Sequence, residues 1–297
     1  MKNPPTHAIT ALIKTMRPKQ WVKNIIVFAA LVFDAKLLTW YYAWRATAGF
    51  VLFILISGVV YIINDLVDIE KDRQHPKKRT RPLASGQLSP RLAISVIFGM
   101  TVIALVAALW LSPLFTLTLF GYLGLQLTYS LRLKHIVLLD VLSIAAGFVL
   151  RVTGGALLVN AARFSPWLYI CTTLGALFLG FGKRRGELVL LGNEAVNHRP
   201  ILENYSVTFL DQLINIVTSA TILAYAFYTF SAPNLQHSHH LMMLTIPYVI
   251  YGLFRYLYLI HIHGSTLAPD EVLLTDRPIQ ATLSLWGLTV IIILYLT

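Results

Sequence analysis

Nine apolar stretches divide the 297-residue chain, at residues 22–35, 46–66, 92–111, 113–131, 136–159, 166–182, 209–231, 241–260 and 279–297. A helix crosses the hydrocarbon core with about 20 such residues, within a range of roughly 17 to 25. Eight stretches are long enough; the first is short and is expected to be tilted, flanked by amphipathic sequence or only partly inserted. The expected fold class is therefore all-α: a polytopic membrane bundle of about nine helices, with eight as the alternative. Charged residues make up 12% of the chain, against about 25% in soluble domains. No soluble domain is evident, and residues 1–297 are expected to form a single transmembrane catalytic domain. Its polar parts would be an interfacial N-terminal segment at 1–21 and inner loops at about 67–91, 132–135, 183–208 and 261–278.

The distribution of cations orients the chain, because positive residues accumulate on the inner side of membrane proteins. With the N-terminus inside and nine crossings, 19 of the 24 Lys and Arg fall on inner segments, three on outer ones (Lys36, Arg45, Arg163), and Arg151 and Arg255 within spans. Twelve of the 13 acids also fall on or near the inner side, the exception being Asp34. An inner face that gathers both signs reads as a polar reaction chamber. The net charge of +11 would draw anionic lipid headgroups and anionic substrates. Nucleic acid is a poor partner, since the cations are split among loops between spans. A single cysteine, Cys171, allows no internal disulfide, and no cleavable signal is expected.

One segment stands out chemically. At 100° per residue, Asp65, Asp68 and Asp72 fall within roughly 60° of one another on a helix. This acidic face follows directly on an apolar run, and ionisable groups clustered at a membrane exit mark a site. The competing reading is a frayed helix end whose acids pair with Lys71 and Arg73. The basic loop from Arg73 to Gly86 comes next, in which Arg79 and Arg81 have the fork geometry to clamp phosphate oxygens; a purely topological role is its alternative. Before the first span, residues 6–16 read as a short interfacial helix, and Arg17-Pro-Lys-Gln-Trp-Val-Lys-Asn24 brings Lys19, Lys23 and an indole to the water boundary. That segment serves either as a membrane anchor or as a phosphate site.

Further along, Tyr129 to Lys134 closes the hairpin of the third and fourth spans. Asp140 lies just inside the fifth span with Arg151 three turns later on the same side, a functional acid or one half of a structural ion pair. The sixth span ends in Gly182-Lys-Arg-Arg-Gly-Glu187, again a cation cluster at a span exit. The outer histidines His237, His239 and His240 are a thin basis for a metal site.

Carboxylates ringed by Lys and Arg suit a magnesium-bound diphosphate, because Mg2+ takes one or two protein carboxylates and completes its shell with water and phosphate. The segment Asn64, Asp65, Asp68, Asp72 resembles the first aspartate-rich motif, NDxxDxxxD, of the UbiA superfamily of intramembrane prenyltransferases, and the resemblance covers nearly the whole chain. The superfamily's second motif, DxxxD, is absent where it is expected after the sixth span; that position reads Lys183-Arg-Arg-Gly-Glu187. Together with residues 17–24, 79–86 and 129–134, this departure is similar to one branch, the decaprenyl-phosphate phosphoribosyltransferases.

That resemblance implies a donor, phosphoribosyl pyrophosphate, and an acceptor, a polyprenyl monophosphate lipid. It implies Mg2+ on Asp65, Asp68 and Asp72, with Asn64 orienting the cluster. Lys19, Lys23, Arg79 and Arg81 would grip phosphates, and Lys134, Lys183 and Arg184 the sugar 5-phosphate or lipid phosphate. Tyr129 and Asp140 would meet the ribose, or Asp140 would orient Lys134. It also implies a bacterial cytoplasmic membrane, with the N-terminus and site on the cytoplasmic side. Small residues in several spans permit a homo-oligomer. Two alternatives stand beside this reading: an aromatic or quinone-precursor prenyltransferase using a prenyl diphosphate, and a transporter of phosphorylated lipids or metabolites.

Overall fold

The structure is a computed structural model that describes residues 5–75, 78–161, 166–192, 200–231, 239–267 and 269–296. In chain order the elements are α1 (Pro5–Thr15), a 3-10 segment (Pro18–Phe28), α2 (Ala29–Phe33), α3 (Trp40–Val67), α4 (Ile69–Gln74), α5 (Pro90–Leu111), α6 (Pro113–Leu131), α7 (Leu139–Leu158), α8 (Pro166–Leu191), α9 (Val207–Ser231), α10 (His239–Met242), α11 (Ile246–His261), α12 (Pro269–Thr275) and α13 (Arg277–Leu296), with further short 3-10 turns. No strand occurs among the described residues. In hydrocarbon a backbone satisfies its own N–H and C=O groups only as a helix or a closed barrel.

Seven helices among the described residues are long and apolar enough to cross a membrane: α3, α5, α6, α7, α9, α11 together with the 3-10 turn before it (Met243–His261), and α13. They correspond to seven of the nine apolar stretches. The first stretch winds instead as an 11-residue 3-10 helix followed by the five residues of α2; Val22, Ile25, Ile26 and Val27 are β-branched and lose rotamer freedom in an α-helix. The sixth becomes α8, whose 26 residues run to Leu191. Lys183 to Glu187, expected in a loop, are therefore helical. Gly186 costs a helix only about 1 kcal/mol, and the Arg, Glu and Leu around it are good helix formers.

The chain folds as two compact units. The first comprises residues 1–31, 36–130 and 150–161, the second 32–35, 131–149 and 162–297, so that α7 gives its first half to one and its second half to the other. In the first unit, α3 and the 3-10 segment pack with α5, α6 and the end of α7 around Phe53, Phe115 and Tyr122, whose rings meet edge to face at 5.5–5.8 Å. Gly155 of α7 lies where a Cβ would fall on the Val27 carbonyl, and Gly154 faces Phe53. Small residues of this kind let elements approach closely in a membrane protein.

Two cations expected on the outer side have a structural use in this unit. The Lys36 ammonium donates to the carbonyls of Val159 and Asn160 at 3.0 and 2.9 Å. Arg45 donates to those of Leu158 and Leu111 at 2.9 and 2.8 Å. They satisfy orphan carbonyls at the ends of α7 and α5, where the helix dipole favours positive charge. The N-terminal helix is tied into this unit: Ala11, with Met16 just beyond the helix, packs against Ile62, Leu83, Leu88 and Ala93, while Ile9 and Ile13 stay exposed.

In the second unit α8 and α9 pair along their length. The core gathers Val141, Phe178, Phe181, Leu202, Leu210, Ile214 and Tyr256. Asp276 caps α13, its Oδ1 accepting from the Ile279 N–H at 3.0 Å while Arg255 donates to its Oδ2 at 3.0 Å. Burial pushes this carboxyl upward, but the arginine and the N–H outweigh it and hold the group below the usual range. His237 lies outside the described residues, as do the side chains of His239 and His240.

Candidate active site

In the first unit, the acidic segment sits where α3 gives way to α4. Asp68 is the junction, with φ −94° and ψ 9°. The i→i−4 bonds nevertheless run through it, from the Asp68 N–H to Asn64 and from the Asp72 N–H to Asp68 at 3.0 and 2.8 Å. The turn spacing therefore survives the break, and Asp65 and Asp72 are close enough to share one guanidinium. Arg81 Nη1 donates to Asp65 Oδ1 at 3.1 Å and to Asp72 Oδ2 at 2.7 Å. Both acids are only 2% exposed. Asp68 is half-buried and enters no ion pair among the described residues; Asn64 beside it is half-buried too.

A second arginine completes the cluster, and sequence reasoning did not single it out. Arg17 Nη2 donates to Asp65 Oδ1 at 2.7 Å, and its guanidinium lies 4.7 Å from the centre of the Tyr61 ring. Its backbone is left-handed, with φ 54° and ψ 70°. Forty-eight residues separate Arg17 from Asp65, so only its place in the cation-rich stretch before the first span could have hinted at it. The frayed-end pairing does not occur: Arg73 pairs with Glu70 at 2.8 Å, and the arginines at Asp65 and Asp72 are Arg17 and Arg81.

Among the other expected phosphate ligands of this unit, Lys19 and Arg79 are exposed and Lys23 is half-buried, as is Tyr129 at the end of α6. Arg151 does not pair with Asp140. It donates from Nε to Asn24 Oδ1 and from Nη2 to the Tyr122 hydroxyl, both at 2.6 Å.

The second unit holds its own charged cluster. Asp140 is fully buried, with Oδ2 accepting from Arg184 Nε at 2.7 Å and Oδ1 from the Tyr205 hydroxyl at 2.7 Å. Arg184, 1% exposed, also reaches Glu187 at 2.9 Å, and Arg185 donates to Asp211 at 2.5 Å. This differs from the expectation of Arg184 on a phosphate and Asp140 on a ribose or on Lys134. Two cations of the Lys183-Arg-Arg run are already matched by acids that lie far away in sequence. Lys183 and Lys134 are half-buried, and neither enters an ion pair among the described residues.

Tyr205 ties this cluster to the backbone, because its hydroxyl accepts from the Leu138 N–H at 2.8 Å and Leu138 is itself left-handed at φ 65°. Burial, and next the hydrogen bond to Asp140, push the phenol up to about 12. A folded value above the unfolded one of about 10 means a stabilising contribution that is whole below pH 10 and is lost as pH rises toward 12. Tyr205→Phe should destabilise by about 1–3 kcal/mol, the cost of leaving buried partners unmet. The variant should also lose less of its remaining stability than wild type between pH 10 and 12. Thermal unfolding in detergent at pH 8 and pH 11 tests both.

The donor set of the first unit fits a hard divalent cation. Asp65, Asp68 and Asp72 offer only oxygen, the first and last are buried, and guanidinium cations stand at the oxygens of Asp65 and Asp72. Among the described residues no group of three or more His, Cys, Asp or Glu side chains is placed so as to hold a metal ion by itself. That is compatible with Mg2+, which draws much of its shell from water and substrate phosphate.

The chain is similar to several known proteins. The decaprenyl-phosphate phosphoribosyltransferase of Mycolicibacterium smegmatis is 31% identical over 296 residues, covering 95% of this chain and 92% of that one. The enzyme of the same name from Corynebacterium glutamicum is 30% identical over 314 residues, covering 99% and 90%. Among solved structures, a UbiA homolog from Archaeoglobus fulgidus bound to GPP and Mg2+ superposes with a TM-score of 0.70 over 95% of this chain and 99% of that one, at 18% identity; this likeness bears on the fold alone. The model of the UbiA prenyltransferase family matches residues 24–269. A multi-pass membrane transferase, the chain belongs to the UbiA prenyltransferase family.

Proposed function

We propose that this protein transfers 5-phosphoribose from phosphoribosyl pyrophosphate to a polyprenyl, decaprenyl-type monophosphate and releases pyrophosphate. The observation that carries the reading is the match at 30–31% identity, along nearly the full chain, to decaprenyl-phosphate phosphoribosyltransferases. The pairing of Asp65 and Asp72 with Arg17 and Arg81 supports it, since it gathers the groups that a metal diphosphate needs.

In the reaction the C1–O bond to pyrophosphate breaks and its electron pair leaves with the pyrophosphate. C1 becomes oxocarbenium-like, and an oxygen of the lipid phosphate forms the new C1–O bond from the opposite face, with inversion. A phosphate monoester is ionised at pH 7, so no general base is required. The protein's task is to position two anions and offset their repulsion. Arg17, Arg81, Lys19, Lys23 and Arg79 bind diphosphate oxygens, and Asn64 orients the acidic segment. Asp65, Asp68 and Asp72 would hold Mg2+, which would supply positive charge to the departing pyrophosphate. The resemblance alone assigns Lys134 and Lys183 to the sugar 5-phosphate or the lipid phosphate, and Tyr129 to the ribose. Asp140 and Arg184 serve instead as a buried pair that fixes their surroundings. The protein works in a bacterial cytoplasmic membrane with this chemistry on the cytoplasmic side.

The test is transfer of labelled phosphoribose into the lipid phase by purified protein given Mg2+ and a polyprenyl monophosphate. Transfer that EDTA abolishes is the expected result. Transfer of a prenyl group from a prenyl diphosphate to an aromatic acid, with none of phosphoribose, would overturn the reading.

A further inference from the structure

The two arginines of the first unit stand at the carboxylate oxygens that a divalent cation would use. We propose that Arg17 and Arg81 bar a divalent cation from Asp65 and Asp72 until a diphosphate arrives to take the guanidinium groups, so that cation and diphosphate enter together. The inference rests on the metal site of the proposed function and adds to it an order of binding.

Asp65 Oδ1 accepts from both arginines, at 2.7 and 3.1 Å, and Asp72 Oδ2 from Arg81 at 2.7 Å. A cation coming to these oxygens meets two positive groups already in place, and like charges in a half-buried site repel strongly. The acids cannot move away to meet it. Asp65 and Asp72 lie in helical turns with side chains only 3% exposed, whereas the Arg17 and Arg81 side chains are 36% and 28% exposed. The mobile partners are therefore the arginines.

A diphosphate changes the balance, because its oxygens accept guanidinium forks in bidentate fashion. Once the arginines transfer to it, two buried carboxylates are left without counter-ions, a costly state that a divalent cation relieves. The cation alone strands the guanidinium groups, and the diphosphate alone strands the acids. The two ligands should therefore assist each other, and by linkage to the same extent in both directions.

Arg17 is the positioning residue of this exchange. Its φ of 54° lies in the left-handed region, which side chains other than Gly, Asn and Asp seldom adopt. Its N–H donates to the Lys14 carbonyl at 3.2 Å and its carbonyl accepts from the Gln20 N–H at 2.8 Å, while its side chain is held by the ion pair to Asp65 and the Tyr61 ring. A guanidinium that is 36% exposed and tied to one carboxylate is suited to leaving when a better anion comes.

The test is equilibrium dialysis of the full-length protein in detergent against Mn2+, with and without inorganic pyrophosphate. Wild type is expected to retain Mn2+ at least tenfold more tightly with pyrophosphate than without. Arg17→Gln and Arg81→Gln should each retain Mn2+ without pyrophosphate at least tenfold more tightly than wild type, and adding Asp65→Asn to either should abolish the gain. Should Arg17→Gln fail to fold, Arg81→Gln, altered outside any helix, carries the test. If wild type holds Mn2+ alone as tightly as the arginine variants, the exchange is wrong while the metal site stands. If no form retains Mn2+ even with pyrophosphate, the metal site itself falls, and this inference with it.

Discussion

Asp65→Asn should lower phosphoribosyl transfer by at least about 10²- to 10³-fold, the cost of removing one group that stabilises transition-state charge, while leaving the protein folded. The geometry separates the two effects. Asp65 Oδ1 accepts from Arg17 and Arg81, and a carboxamide oxygen at the same place still accepts. Removing a buried charge also lightens the desolvation cost, so stability should change little. What an amide cannot supply is negative charge toward a divalent cation. Asp68→Asn should lose comparable activity, and being half-buried without an ion pair it should perturb the fold still less. Glu70→Gln is the control: its carboxylate is on the same segment but 78% exposed and paired with Arg73, and activity should stay near wild type. The assay is initial-rate transfer of label, beside thermal unfolding. An Asp65→Asn protein with near-normal turnover would remove the metal from this site.

What the sequence allowed to be read, and what it hid, follows from how far apart interacting residues lie. The span pattern is local, so α3, α5, α6, α7, α9, α11 and α13 lie close to the stretches their composition marks. The aspartate face is local too, because its spacing of three and four residues is a helix turn, and it survives even the break at Asp68. The counter-ions are not local. Arg17 reaches Asp65 across 48 positions and Arg184 reaches Asp140 across 44, and no periodicity encodes either. The same blindness made the cations after the sixth apolar run look like a surplus awaiting phosphates. Arg184 and Arg185 are in fact answered by Asp140, Glu187 and Asp211. Helix pitch placed Asp140 and Arg151 on one side of α7, but pitch says nothing of what neighbouring elements offer, and Asn24 and Tyr122 claimed Arg151.

The buried pair of Asp140 and Arg184 carries the largest expected effect on stability. Their side chains are 0% and 2% exposed, so neither has water to replace the lost partner, although Arg184 still reaches Glu187 at 2.9 Å. Breaking such a pair by removing one partner costs about 3–5 kcal/mol, while replacing both by apolar residues of similar volume is often close to neutral. Asp140→Leu and Arg184→Met should each sharply reduce folded yield and thermal midpoint in detergent, with the Asp140 change adding the loss of the Tyr205 hydrogen bond. The double variant Asp140→Leu with Arg184→Met should recover a large part of the loss, though the Tyr205 hydroxyl still loses its acceptor. The double variant also settles the roles. A pair that only holds the fold together predicts that recovered stability brings back transfer activity, with a KM for phosphoribosyl pyrophosphate near wild type. A role for Asp140 on the ribose, or for Arg184 on a phosphate, predicts a stable double variant that remains inactive or needs far more donor. Thermal unfolding and a donor titration on the same preparation distinguish the two outcomes.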